Sequence, residues 1–400
     1  RDLVAEKGDA TPIEWLHRSQ RYGEKLATPD VSVADLIGDV DPIKAANLKL
    51  SFADDRVIHY GIIPRSNRGI FVINELPDLQ ARIQVALFNI LEEGDVQIRG
   101  FKLRLPLDIL FVFTANPEDY TNRGSIVTPL KDRIQSQILT HYPKSLENAL
   151  EITEQEADIA EEQKGRVRVS DLIKRLIEQI AFEARASEFV DKKSGVSARL
   201  TISAFENAIS SAERRALINQ EQQTQVWLAD LAGIIPSITG KVELVYEGEQ
   251  EGPYQVATNL VDKAIRTQFT QYFPNPDSLK KRRSTGKPSQ QEKENDNPYR
   301  AITSWFDKGN HLNLSFNTSD KDKILALYKV DGLHALVKKY FAQANEAQAA
   351  LLMEFVLHGL ASYSLISKKI FESKIEFKDL IGSMMNLGGK EYDEEFDEEA

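Results

Sequence analysis

Two continuous apolar runs stand out along the chain, Ile70 to Ile73 in "GIFVINELPD" and Ile109 to Thr114, "ILFVFT", in "ILFVFTANPEDY", and each breaks off into polar groups. A short apolar run bounded by turn residues such as Gly69 and Pro77 predicts a buried strand of a parallel sheet. The first run delivers Asn74 and Glu75 to its C-terminal end, and the second delivers Asn116. Open α/β sheets bind ligands at that edge, so two such strands predict a site. Between them, Leu79, Ile83, Leu87, Ile90 and Leu91 fall at helical spacing, which predicts one helix capped by Asp78 and ending near Gly94. From Asp95 to Asp108 the pattern switches to alternation on both sides of Gly100, predicting a β-hairpin.

Elsewhere the pattern is mostly helical. Residues 30–50 predict a strand or loop leading into a helix. Leu172, Ile173, Leu176, Ile177 and Ile180 form an inward stripe within 170–215, and Ser197, Ala198 and Arg199 open another helix. "GKVELVYEGEQEG" alternates like an exposed strand. Residues 277–298 are polar and poor in apolar groups, which predicts a linker, with its basic run Lys280 to Arg283 solvated. Helical periodicity returns over 299–385, and "EYDEEFDEEA" closes as an acidic tail. The longest apolar stretch, Ala347 to Ile366, contains Gln348, Glu354 and His358, so it predicts a buried helix rather than a membrane span.

Composition narrows the chemistry. The chain has 400 residues, enough for two or three domains, and a formal net charge of -11, which argues against binding nucleic acid by general phosphate neutralisation. It has no cysteine, which excludes disulfides, thiolate nucleophiles and cysteine zinc sites. The histidines show no short metal-ligand spacing.

With these residues in view, "NRGIFVINELPDLQARIQVALFNILEEGDVQIRGFKLRLPLDILFVFTANPEDY" followed by "TPLKDRI" resembles the ATPase core of AAA+ proteins of the magnesium-chelatase motor-subunit and MoxR group. The order carries the resemblance: a Walker B strand, a helix interrupted by a hairpin, a sensor 1 strand, then an arginine-finger segment. It implies an α/β fold, an AAA+ parallel sheet flanked by helices with a β-hairpin insert, followed by an α-helical lid and a mainly helical C-terminal region. The implied organisation is a core over 1–145, incomplete at its amino end, a lid over 146–232, an extension with a possible strand over 233–276, the linker 277–298, a helical domain over 299–385 and the tail 386–400. By the same resemblance Glu75 polarises the attacking water, Asn116 is the sensor 1 amide, Arg133 is the arginine finger presented to a neighbouring subunit, and Arg199 is the sensor 2 arginine. Arg123 is an alternative finger. ATP and Mg2+ are the implied ligands, and the implied assembly is a homo-oligomeric ring, a hexamer, with a von Willebrand A domain protein as partner. A cytoplasmic location without membrane insertion or clear nucleic-acid binding goes with it.

Two departures matter. Asn74 stands where the family has an aspartate in the second shell of magnesium; an amide oxygen accepts the same hydrogen bond without charge, a loss on the order of 1 kcal/mol. No G-x-x-x-x-G-K-[ST] phosphate loop occurs in the chain, which begins with Arg1 rather than Met, so the loop is expected upstream. The leading expectation is an ATP-driven motor that remodels partner proteins. A degenerate scaffold that binds partners without efficient turnover is the alternative. A transcriptional activator ATPase is disfavoured by the lack of its Gly-Ala-Phe-Thr-Gly-Ala loop, and metal insertion into a porphyrin ranks below remodelling.

Overall fold

The computed structural model describes residues 2–51, 54–98, 104–116, 125–192, 194–281 and 297–380. The chain divides into two compact units, Arg1–Thr140 and His141–Ala400.

The strands of the first unit are β1 (Tyr22–Leu26), β2 (Gly38–Val40), β3 (Ile58–Tyr60), β4 (Ile70–Asn74), β5 (Asp95–Gln97), β6 (Arg104–Pro106) and β7 (Leu110–Phe113). The two apolar runs pair with each other and with β1 in a parallel sheet of order β1-β4-β7, and Ile70 lies beside both Tyr22 and Leu110. Side chains alternate across a strand. Phe71 and Ile73 on β4, with Phe111 and Phe113 on β7, pack on Leu76, Ile83, Leu87, Ile90 and Leu130. The other face is open: Tyr22, Ile70, Leu110 and Val112 are exposed. A continuous apolar run was therefore a guide to the strand but not to burial on both faces.

The predicted helix after β4 is broken into three pieces. Leu76–Asp78 is a 3-10 turn, and helices Ala81–Ala86 and Phe88–Glu93 follow. Gln80, not Asp78, occupies the first cap. The break comes at Leu87, whose N–H bonds to Gln84 O at 3.1 Å, three residues back instead of four. The tighter winding keeps Ile83, Leu87 and Ile90 in one core. Gly94 ends the second helix with φ 65°, a left-handed conformation natural to glycine, and the chain turns into the antiparallel pair β5 and β6. The hairpin tip with Gly100, and Arg123, lie outside the described residues.

The second unit is mainly helical, with β8 (Val167–Arg168) paired in parallel to β9 (Thr224–Gln225). Ser170 caps helix Asp171–Ala186 by accepting from Ile173 N. Helices Arg199–Ile218, Pro253–Tyr272 and Glu346–Ser362 pack with it in a single core that runs from Val167 to Phe377. The segments expected as lid, extension and C-terminal helices all contribute to that core. Gly359 permits the closest approach: a Cβ there would lie 2.1 Å from Phe269 Cδ2.

Three features of this unit differ from the sequence reading. The exposed strand expected at 241–252 is reduced to two isolated bridges, Val196 with Val242 and Val190 with Leu244, followed by helix Tyr246–Glu251. The region after 299 includes an antiparallel sheet of β10 (Leu312–Ser315), β11 (Ser367–Ile370) and β12 (Lys374–Lys378), in the order β10-β12-β11. Helix Pro276–Lys281 enters the expected linker, whose residues 282–296 lie outside the described residues, as does the acidic tail. No helix among the described residues is long and apolar enough to cross a membrane.

A buried charged network ties this core together. Arg215, 1% exposed, donates to both oxygens of Asp230 at 3.1 Å, to Asp320, to Thr224 Oγ1 and to Gln225 O. Glu354 accepts from the backbone N–H groups of Leu228 and Ala229 at 3.0 Å. Lys323 lies over the Trp227 ring at 5.0 Å, and burial lowers its pKa.

Candidate active site

The site is built where β4 and β7 end side by side. Ile73 is in register with Phe113, which brings Asn74 beside Thr114. Thr114 then acts as a clamp: its N–H donates to Ile73 O at 3.1 Å, its carbonyl accepts from Leu76 N at 2.9 Å, and its hydroxyl accepts from Glu75 N at 3.0 Å. The hydroxyl also lies 3.4 Å from Asn74 Oδ1. From the other side, Asn74 O accepts from Ala27 N of the β1 end at 2.8 Å.

Between these anchors Glu75 adopts φ 55° and ψ 49°, the left-handed region. For a residue with a side chain this conformation costs roughly 1–2 kcal/mol, and the surrounding hydrogen bonds hold it. Its effect is to turn the chain sharply out of the sheet at the carboxylate. Glu75 is half-buried and Asn116 exposed, two residues beyond Thr114 on the adjoining strand end. Both groups named from the sequence therefore stand on one C-terminal sheet edge.

Arg133 ends helix Thr128–Arg133, which is anchored by buried Leu130 and by Gln84. The Gln84 amide accepts from Val127 N at 2.9 Å and donates to Ser125 O at 3.1 Å. The Arg133 guanidinium is engaged within its own subunit: Nε and Nη2 both donate to Glu92 Oε2, Nη1 donates to Pro129 O at 2.8 Å, and the Phe88 ring lies 5.0 Å beneath. Arg199 belongs to the second unit, where it is exposed at the first position of helix Arg199–Ile218 and its N–H donates to Ser197 Oγ at 3.2 Å.

Thr114, Gln84 and Glu92 escaped the sequence reading. Thr114 gave one signal, a hydroxyl residue at the end of an apolar run beside a strand ending in Asn74.

Among the described residues no cluster of three or more acidic or imidazole side chains is placed to hold a metal. Magnesium keeps several waters and binds through one or two carboxylates together with substrate phosphates. One carboxylate, Glu75, beside one carboxamide, Asn74, fits the periphery of a nucleotide-bound ion and not a stand-alone metal site.

A parallel α/β core that brings a carboxylate and an amide to one strand edge, with a hairpin insert and an arginine-bearing helix, resembles the cores of AAA+ ATPases. Within that class the chain resembles the magnesium-chelatase and MoxR type. It is 25% identical over 142 residues to the magnesium-chelatase 38 kDa subunit of Cereibacter sphaeroides, a match covering 35% of this chain and 41% of that protein. The chain thus spans less than half the length of this relative. No family model matches. Among solved structures, the complex of magnesium-chelatase subunits BchI and BchD matches at 19% identity and a TM-score of 0.27, covering 58% of this chain and 72% of that one. NtrX from Brucella abortus matches at 15% identity and a TM-score of 0.37, covering 63% and 53%.

Proposed function

We propose that this chain carries the hydrolytic centre of an ATP-driven motor whose cycle remodels a partner protein. The observation that supports the reading is that Glu75 and Asn116 follow the ends of adjacent strands, with Glu75 in a left-handed turn and its N–H donated to Thr114 Oγ1. Phosphoryl transfer demands positioning and charge stabilisation more than covalent chemistry. In this reading Glu75 accepts a proton from the attacking water, Asn116 orients that water, and Arg133 stabilises the charge that develops on the phosphate of the next subunit. Asn74 supports the magnesium that accompanies ATP, Arg199 reports on the terminal phosphate, and the ion itself supplies charge neutralisation.

The test is magnesium-dependent ATP hydrolysis by the protein as its gene encodes it, measured against protein concentration. Turnover that rises steeply with concentration, vanishes in Arg133→Ala and leaves trapped ATP in Glu75→Gln is the expected result. Unchanged turnover in Glu75→Gln sinks the assignment. The neutral Asn74 favours a second reading, a scaffold gated by nucleotide; binding without hydrolysis would select it.

A further inference from the structure

We propose that Glu92 is the positioning residue of the arginine finger: it grips one edge of Arg133 so that the remaining donors face outward toward a neighbouring subunit. The inference rests on the reading of Arg133 as the finger and adds a residue to it.

A guanidinium has five N–H groups in a rigid plane. Nε and Nη2 each give one to Glu92 Oε2 and Nη1 gives one to Pro129 O, so three are used within the subunit. Two remain, one on each terminal nitrogen, enough to meet a phosphate oxygen. The Phe88 ring beneath the plane fixes its tilt, and the side chain keeps 27% exposure. An arginine on a freely rotating stem would have to acquire this order at each encounter; here the order is built in beforehand.

The placement of Glu92 also serves the role. It lies two residues before Gly94, at the end of helix Phe88–Glu93, where the chain turns into the β5–β6 hairpin. Gln84, one helix earlier, holds the start of the finger helix through Val127 and Ser125. The finger helix is thus held at one end by Gln84 and at the other by Glu92. Glu92 itself is half open to solvent, so a purely architectural role would leave little for it to do.

A partly exposed pair of this kind changes the population of a side-chain pose by about two- to fivefold. Glu92→Ala in the full-length protein should therefore lower kcat by about that factor while KM for ATP moves less than twofold. Glu92→Gln, which keeps an acceptor without charge, should fall between it and the parent. The decisive measurement mixes chains. Glu75→Gln subunits cannot hydrolyse but present an intact finger, so adding them in about tenfold excess places a well-positioned Arg133 beside nearly every Glu92→Ala site. Hydrolysis per Glu92→Ala chain should then return to the parental value. If it stays depressed while an Arg133→Ala mixture is rescued, Glu92 acts inside its own subunit and the proposal fails, although the finger assignment stands. If Arg133→Ala alone hydrolyses normally, the finger assignment itself falls. Unaltered kcat in Glu92→Ala also overturns the proposal.

Discussion

Replacing His358 by leucine should remove a specific acid sensitivity from the second unit. The imidazole lies within helix Glu346–Ser362 at 3% exposure, edge-on to Phe377 at 5.2 Å, and neither ring nitrogen has a hydrogen-bond partner among the described residues. Burial, reinforced by the positive charges of Lys368 and Lys323, holds its pKa well below the usual 6.5. The folded protein keeps this ring neutral, whereas the unfolded chain takes up a proton near 6.5. Its share of stability is thus intact above 6.5 and lost as pH falls from there toward the folded pKa, at about 1.4 kcal/mol per pH unit. Burial raises the pKa of Glu221 and Glu354, whose contributions run the other way, so the quantity to follow is the difference between parent and variant. Urea unfolding followed by tryptophan fluorescence, at steps from pH 7.5 to 5.0, measures it. The variant should gain on the parent as the pH falls below 6.5, on top of about 1 kcal/mol at neutral pH for no longer burying an unpaired polar ring. A pH-independent difference, or an imidazole that titrates near 6.5 in the folded protein by NMR, would refute the reasoning.

Three further outcomes are expected. Thr114→Val keeps the shape but removes the acceptor for Glu75 N–H, and hydrolysis in the full-length protein should drop about tenfold with little change in unfolding midpoint, since one misplaced carboxylate is enough. Asn74→Asp should lower the magnesium concentration for half-maximal activity several-fold, read from a magnesium titration at fixed ATP. Arg215→Met leaves Asp230 and its neighbours without their counter-charge and should destabilise the second unit by about 3–5 kcal/mol in urea; a change below about 1 kcal/mol would mean that the network relaxes freely.

The legible parts of this protein are those where one face of an element decides the pattern. The β4 and β7 runs, the β5–β6 alternation and the glycine stop at Gly94 each announced themselves locally. So did the inward stripe from Leu172 to Ile180, all of it buried. The β10–β12–β11 sheet was hidden because its strands are four or five residues long and β12 offers only Ile375 and Phe377 as buried positions, too few to set a period. Helix Pro253–Tyr272 was missed because its inward face includes small or polar residues such as Ala257, Ala264 and Gln268 among the larger apolar ones. At the site, Asn74, Glu75 and Asn116 could be named because they lie next to apolar runs. Thr114 and Glu92 could not, since their roles come from hydrogen bonds to residues 39 and 41 positions away. Arg215 reads as a surface charge in the sequence, and only the arrival of Asp230 and Asp320 makes its burial tolerable.

The bare flank of β7 has a consequence for how association is interpreted. Its outward backbone N–H and C=O groups, flanked by exposed Leu110 and Val112, form a template on which another chain can add a strand. Pairing of β7 with β7 of a second copy is isologous and closes at a dimer independently of nucleotide, whereas a ring closes at a larger fixed number of subunits. Light scattering of the 400-residue chain should accordingly show a dimer that ATP does not alter, and a lysine at Val112 should shift it toward monomer. Only association that survives this lysine substitution can be counted as ring assembly.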